Sequence, residues 1–262
     1  MISQWIDSLN KDIISVIIPT YNRHKYFSCC LRSLAACDMV EKLEIIVVED
    51  GSDDFNFSAN KNLIDAYIHC DMNIKYIRLS ENTGTVSIPR NIGISHASGR
   101  TLAPTDDDCF PTIKKFQLFN DLWSNEKNVL AFGNREEYSC TLDGDVFPNP
   151  IHGEQKFPHY ATTHKKEVGL DNGQFIYKTE VYKDIKPVFA INACDWELYK
   201  NIADLGDFVY RDFVVSKYLW HHTNISRTPK HRRVNPLAVL PNFLEYFKPN
   251  EFTNACINSI NL

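Results

Sequence analysis

The chain has no surplus of positive charge: 28 Lys and Arg stand against 33 Asp and Glu, for a net charge of −5 over 262 residues. That excludes a general nucleic-acid binder, which usually carries a basic surplus, but leaves room for a locally positive pocket. Long apolar runs are missing too. The longest, Ile13–Ile18 and Ile45–Val48, fall far short of the roughly 20 residues that a membrane-spanning helix needs. The opening stretch, M-I-S-Q-W-I-D-S-L-N-K-D, has no basic segment followed by an apolar one and does not read as a secretory signal. No C-x-x-C occurs among the eight cysteines, which predicts free core thiols in a reducing, cytoplasmic compartment. Neither G-x-x-x-x-G-K-[ST] nor G-x-G-x-x-G is present, so nothing points to ATP or NAD. G-x-S-x-G is absent as well, and no thiol has a convincing partner, so no Ser or Cys nucleophile is predicted.

What is present is an ordinary globular composition, 44% hydrophobic and 23% charged, long enough to bury roughly 70–75% of the unfolded surface. One large domain, alone or with a small appendage, fits this length. Strand and helix signals alternate through the first two-thirds. Ile13–Ile18 predicts a buried parallel strand. Phe27, Cys30, Leu31, Leu34 and Ala35 follow a helix face. Leu43–Val48, Ile74–Leu79, Thr101–Pro104 and Val129–Phe132 predict four more strands. Between them, Leu63–Ile68, Val86–Ala97 and Phe116–Trp123 predict helices. This βαβ alternation means a mostly parallel sheet with helices on both faces, in which ligands bind beyond the carboxyl ends of the strands.

The section from Gly133 to about Gly173 is less regular. Pro148, Pro150 and Pro158, with His152, His159 and His164, predict loop or hairpin structure over the site, and these histidines have no metal-ligand spacing. Gln174–Val181 predicts a strand entering a turn of helix. Asp195 opens a helix with Trp196, Tyr199, Ile202 and Ala203 on one face and Gly206 as its C′ residue. Phe208–Trp220 predicts one or two strands. A short basic run, T-P-K-H-R-R, then precedes an apolar tail.

Polar clusters fall at three predicted strand ends: Thr20-Tyr21-Asn22-Arg23, Glu49-Asp50 and Asp106-Asp107-Asp108. Three successive carboxylates repel one another unless a cation or water relieves them. Mg²⁺ suits such a site, since it takes one or two carboxylates plus phosphate oxygens; a solvated acidic turn or a helix cap would use the same residues. Asp50 can accept the imide N–H of a uracil or cap the next turn through Ser52 and Asp53. Arg90, in R-N-I-G, offers a planar fork for phosphate oxygens or a surface ion pair. Asp195 and Glu197 can serve as a base or simply favour a helix start. One of His221 and His222 can face the site, because strand neighbours point to opposite sides.

Five segments occur in order: I-S-V-I-I-P-T-Y-N-R (14–23), I-I-V-V-E-D-G-S-D-D (45–54), N-T-G-T-V-S-I-P-R-N-I-G (82–93), A-S-G-R (97–100) and D-D-D-C-F-P (106–111). Together they resemble family 2 glycosyltransferases of the GT-A fold, strongly over residues 12–125 and more loosely through 174–226. There C-D-W-E-L-Y-K-N-I-A-D-L-G is similar to the family's acceptor-side E-D segment. The resemblance implies an α/β GT-A fold: a mostly parallel, Rossmann-like sheet flanked by helices, with a smaller acceptor-side region. It implies a catalytic domain over 1–226, with a nucleotide-sugar half (12–125) and an acceptor half (126–226), and an extension over 227–262.

Pro19, Tyr21 and Asp50 would line the nucleotide base, and Arg23, Arg90, Asp106 and Asp107 would also contact the nucleotide sugar. Asp106 and Asp108, with His222 or His221, would hold Mn²⁺ or Mg²⁺. Asp195 would be the base of an inverting transfer, from a UDP-sugar to a glycan or lipid-linked glycan hydroxyl, in bacterial surface polysaccharide synthesis. Cys194 stands where the family often has Glu, which keeps Glu197 as the alternative base. Peripheral attachment to the inner face of a membrane through His231-Arg232-Arg233 stays open. A sugar nucleotidyltransferase would need a Gly-rich basic loop where T-Y-N-R-H-K stands, and a non-catalytic sugar-nucleotide binder would not need Asp106, Asp108 and Asp195 together.

Overall fold

Among the described residues, the apolar run beginning at Ile13 lies within a ten-stranded sheet. The computed structural model describes residues 2–140, 146–148, 154–155, 165, 170–191, 194–224 and 234–260. Strand β1 (Asn10–Thr20) pairs in parallel with β2 (Leu43–Glu49) on one side and β4 (Gly99–Pro104) on the other, and β2 pairs in parallel with β3 (Ile74–Arg78). Beyond β4 the order continues through β9 (Phe175–Lys178), β6 (Asn128–Cys140), β10 (Asp207–Trp220) and β5 (Cys109–Pro111). Here β9 runs antiparallel to β4 and β6, and β5 antiparallel to β10. Two short strands, β7 (Val146–Pro148) and β8 (Glu154–Gln155), add antiparallel to β6. Thr20 lies opposite Glu49, and Ile17 opposite Pro104, so three polar strand ends open on one edge.

Successive residues of the central strands feed two cores, because side chains alternate between faces. Ile17, Ile46, Val48 and Leu102 enter one; Ile14, Val16, Ile18, Ile45, Val47 and Ala103 enter the other. Helix α2 (His24–Ala35) buries Phe27, Cys30, Leu31 and Leu34, the predicted face. Helix α3 (Asp54–His69) is capped by Asp53, which accepts the Asn56 N–H at 2.8 Å. On the other side α4 (Ser87–Ser95) lies so close to β1 that a Cβ on Gly93 would stand 2.5 Å from Ile17 Cγ2. Helix α5 (Leu118–Trp123) follows a 3₁₀ turn.

Several elements depart from the sequence reading. Helix α1 (Ser3–Asp7) was not predicted; five residues carry too little periodicity, and it forms by burying Trp5 and Ile6. The fifth predicted strand, 129–132, extends to Cys140, because its polar continuation is paired rather than solvated: Arg135 bridges Glu137 and Asp171. The pieces expected after 208 are one strand with register shifts. Helix α6 (Cys194–Ile202) begins where expected, but Gly206 is not a left-handed C′ residue: the positive-φ glycines among the described residues are Gly51 and Gly84. Gly206 instead lets the chain pass Lys127, whose carbonyl oxygen would be 2.3 Å from an added Cβ.

The tail joins the main core. Helices α7 (Pro236–Val239) and α8 (Glu251–Ile260) flank a 3₁₀ stretch. Phe252 of α8 packs on Trp5 and Tyr182 with ring centroids 5.2 and 4.9 Å apart, and Glu251 accepts the Gln4 N–H at 3.0 Å. Val234 lies against Gly84, where an added Cβ would stand 2.6 Å from Val Cγ2. No disulfide links the described cysteines, and Cys30, Cys37, Cys109, Cys194 and Cys256 are buried thiols. Among the described residues no helix is long and apolar enough to cross a membrane. His152, His159, His164, Pro150, Pro158 and the basic residues 231–233 lie outside the described residues.

Candidate active site

The three strand ends are tied together by hydrogen bonds. The Asp50 N–H donates to the Thr20 carbonyl at 2.9 Å, and the Asn22 N–H donates to Ser52 Oγ at 2.8 Å. Thr20 Oγ1 donates to Asp107 Oδ2 at 2.8 Å. Arg23 then reaches across, donating to Asp107 Oδ1 at 3.0 Å and Asp108 Oδ2 at 3.2 Å. Its other terminal nitrogen holds the Thr223 carbonyl. Burial works against the Arg23 charge, but Asp107 and Asp108 outweigh it and raise its pKa. Asp107 is buried, which pushes its carboxyl above the ordinary range against the pull of Arg23. Its oxygens face Thr20 and Arg23.

Asp108 is the most heavily bonded of the three. Besides Arg23, its Oδ2 accepts from Asn224 Nδ2 at 2.9 Å and faces His221 Nε2 at 3.2 Å. The Thr223 N–H reaches His221 Nδ1 at 3.2 Å, which makes Nδ1 the acceptor and leaves the proton on Nε2, toward Asp108. The ring stacks on Tyr26 at 4.1 Å. Of the histidine pair, His221 is therefore the one against the acidic cluster, while His222 is exposed.

Asp106 faces another way. Arg90 Nη2 donates to its Oδ1 at 2.8 Å, while Arg90 Nη1 meets Cys194 Sγ. Burial alone would lower the Arg90 pKa, but Cys194, Asp106 and Asp195 hold it above its ordinary value. The first turn of α6 thus packs on the same guanidinium as Asp106. Asp195 is partly exposed, yet its surroundings desolvate it and lift its carboxyl to about 6, with Arg90 opposing and Asp106 and Asp171 adding. Glu197, two residues on, is exposed and lines a cavity with Asp184, Phe189, Asn201 and Leu237, away from the cluster.

At the carboxyl end of β2, beside Thr20, Asp50 is 5% exposed. Its carboxylate accepts from the Thr83 N–H and Oγ1, both at 3.0 Å, and from Asn82 Nδ2 at 2.9 Å. Burial lifts this carboxyl to about 7 in spite of Thr83. Gly51, which follows it, adopts φ +67° and passes so close to Glu81 that a Cβ would sit 2.2 Å from its carbonyl carbon, a position only glycine fills without strain. Pro19 lies in β1 opposite Val48, and Tyr21 is 42% exposed at the rim. Thr83, Asn172 and Asn224 join the site without having been singled out by sequence. The H-H-T-N turn after β10 was the available signal for Asn224.

Oxygens of Asp106 and Asp108 and the Cys109 sulfur lie within 4.8 Å of one another. Two carboxylates suit a hard divalent ion. Burial pushes the Cys109 thiol well up, so it stays protonated and is a poor ligand for such an ion.

The chain matches the family described as Glycosyl transferase family 2 over residues 15–185 and belongs to that family. It is 25% identical over 240 residues to a Haemophilus influenzae protein named as an uncharacterized glycosyltransferase, covering 86% of this chain and 70% of that one. It is 30% identical over 125 residues to an Escherichia coli chondroitin synthase, covering 48% of this chain but 18% of the relative. Among solved structures, Staphylococcus aureus TarS 1–349 in complex with UDP-GlcNAc superposes with TM-score 0.63 at 18% identity, over 93% of this chain and 69% of that one. A Pyrobaculum calidifontis mannosyltransferase in complex with GDP-Man and Mn²⁺ superposes with TM-score 0.55 at 18% identity, over 97% and 74%. The fold is that of GT-A glycosyltransferases.

Proposed function

We propose that the protein is a metal-dependent, inverting glycosyltransferase. It moves a sugar from a UDP-sugar to a hydroxyl of a glycan or lipid-linked glycan, on the cytoplasmic side, in bacterial surface polysaccharide synthesis. The observation that carries this reading is the sharing of Arg90 between Asp106 and the first turn of α6: one terminal nitrogen holds the acidic cluster and the other holds Cys194, the residue before Asp195. TarS in its complex with UDP-GlcNAc and the archaeal enzyme in its complex with GDP-Man and Mn²⁺ support a nucleotide-sugar donor.

In this reading Pro19, Tyr21 and Asp50 line the base, and Arg23, Arg90, Asp106 and Asp107 frame the sugar diphosphate. Asp106 and Asp108 hold Mn²⁺ or Mg²⁺, which when bound neutralises the leaving diphosphate. His221, rather than the exposed His222, is the histidine that supports Asp108. Asp195 takes the proton of the acceptor hydroxyl. That oxygen forms its bond to the anomeric carbon as the bond to the diphosphate breaks, and the electron pair leaves with UDP. A carboxyl near 6 suits the base role, because it is ionised at neutral pH yet still basic enough to accept a proton.

A ligand that binds only the native state raises the melting temperature. With Mn²⁺, UDP-sugars should therefore raise it by several degrees, and by more than GDP-mannose does. No shift with any UDP-sugar rejects the donor assignment. Asp50→Ala should weaken UDP roughly tenfold in calorimetry: it removes the acceptor facing the base and frees the Asn82–Thr83 loop, at about 1 kcal/mol per lost hydrogen bond. Unchanged UDP affinity would remove Asp50 from the nucleotide site.

A further inference from the structure

Asp106 is clamped from two sides. Arg90 Nη2 holds its Oδ1 at 2.8 Å, and Asn172 Nδ2 reaches its Oδ2 at 3.4 Å. Each clamp has one polar atom left over: Arg90 Nε and Asn172 Oδ1 are both buried with no hydrogen-bond partner among the described residues. Asn172 is 2% exposed. An unpaired buried amide oxygen is costly and calls for an explanation, and a donor from outside the chain is one that fits a site.

Asn172 has little freedom to move elsewhere. Asp171 before it is ion-paired to Arg135, which also holds Glu137. Gly173 after it has no room for a side chain, since a Cβ would stand 2.6 Å from Ser216 Oγ and 3.1 Å from Cys109 Sγ. The Gln174 N–H closes the turn on the Asp171 carbonyl at 3.0 Å. The amide is thus seated on the turn that carries Asp106 to Cys109. Reversing it would turn its oxygen toward the Asp106 carboxylate, so its orientation is set as well.

We infer that Asn172 reads a hydroxyl of the donor's sugar ring, with Oδ1 as the acceptor for that hydroxyl. The inference rests on the nucleotide-sugar reading above and adds the residue that sets sugar preference. A phosphate oxygen has no proton to give a carbonyl oxygen. A cation on this side of Asp106 would sit against the Arg90 guanidinium. A sugar hydroxyl both donates and accepts, so it fits a place where an unused acceptor and an unused donor flank one carboxylate. Cys194, the residue before Asp195, meets the same guanidinium, which puts Asn172 at the reacting end of the donor rather than at the base.

The test is calorimetric titration, in Mn²⁺, of the wild type and Asn172→Ala with UDP and with UDP-glucose, UDP-galactose and UDP-GlcNAc. The best-bound UDP-sugar is then compared with its monodeoxy analogues. Asn172→Ala should hold UDP within twofold of wild type and lose at least tenfold for that UDP-sugar. One monodeoxy analogue should bind wild type about tenfold more weakly than its parent, and the variant should no longer distinguish the two. The wild-type analogue series decides the matter even if the variant fails to fold. Equal losses for UDP and UDP-sugar, no loss, no analogue discrimination, or a wild type that holds no UDP-sugar more tightly than UDP would each overturn the inference. A wild type that binds no UDP at all overturns the donor reading itself.

Discussion

Asp195→Asn should lower kcat by roughly 10²–10⁴-fold, the range for losing a general base, while leaving UDP-sugar affinity near wild type. The replacement keeps the shape of the side chain and its acceptance of the Trp196 N–H, found at 3.1 Å, so the start of α6 should be undisturbed. The pH profile gives a second check. Burial lifts this carboxyl to about 6, with Arg90 opposing and with Asp106 and Asp171 adding. The reactive form is the anion, so kcat should rise with pH through about 6 and level off above it; a rate falling over that range has the wrong sign. Removing the Arg90 charge should move the inflection upward. An unchanged rate in Asp195→Asn would send the base elsewhere. Glu197 would then be the next to test, although it is exposed and turned from the cluster.

Asp108→Asn should abolish metal-dependent turnover and lower Mn²⁺ affinity sharply. If the ion supplies several kcal/mol of charge stabilisation, the rate loss is about 10²–10⁴-fold. The asparagine variant is preferable to alanine for a structural reason. Asp108 Oδ2 collects Arg23, Asn224 and His221, and deleting one partner of a buried charged network costs about 3–5 kcal/mol. Asp108→Ala risks reporting that collapse instead of the chemistry. Melting curves without ligand separate the two: the asparagine variant should melt close to wild type while losing activity. Full turnover of the wild-type enzyme in EDTA would end the metal assignment.

Where chain periodicity and strand-end position carry the information, the sequence was legible. The apolar runs at Ile14–Ile18 and Leu43–Val48 are buried on both faces, and only a central parallel strand asks for such composition. Their carboxyl ends had to open on one edge, so the acidic triplet and Asp50 were found there. The partnerships of the site were not legible. Arg23 reaches Asp107 and Asp108 because Asn22 takes φ 52°, a turn conformation that spacing does not announce. Whether His221 or His222 turns inward depends on the strand's parity where β10 ends at Trp220. Asn172 sits in a D-N-G turn that resembles any surface loop until Ser216 and Cys109 close over the glycine. The polar half of β6 looked like loop because its charges are satisfied only once the sheet forms, Arg135 by Glu137 and Asp171 and Glu136 by Lys217 of β10.

The contact of Val234 with Gly84 gives the tail a thermal consequence. Gly84 follows Thr83, whose N–H and hydroxyl are held by Asp50, so one side-chain contact and one peptide bond separate the tail from the proposed nucleotide pocket. Segments open locally at free energies below that of global unfolding. Warming that loosens residues 234–260 from α1 would therefore slacken the pocket's rim while the sheet stays intact, and donor affinity would decline at temperatures where the molecule as a whole still registers as folded.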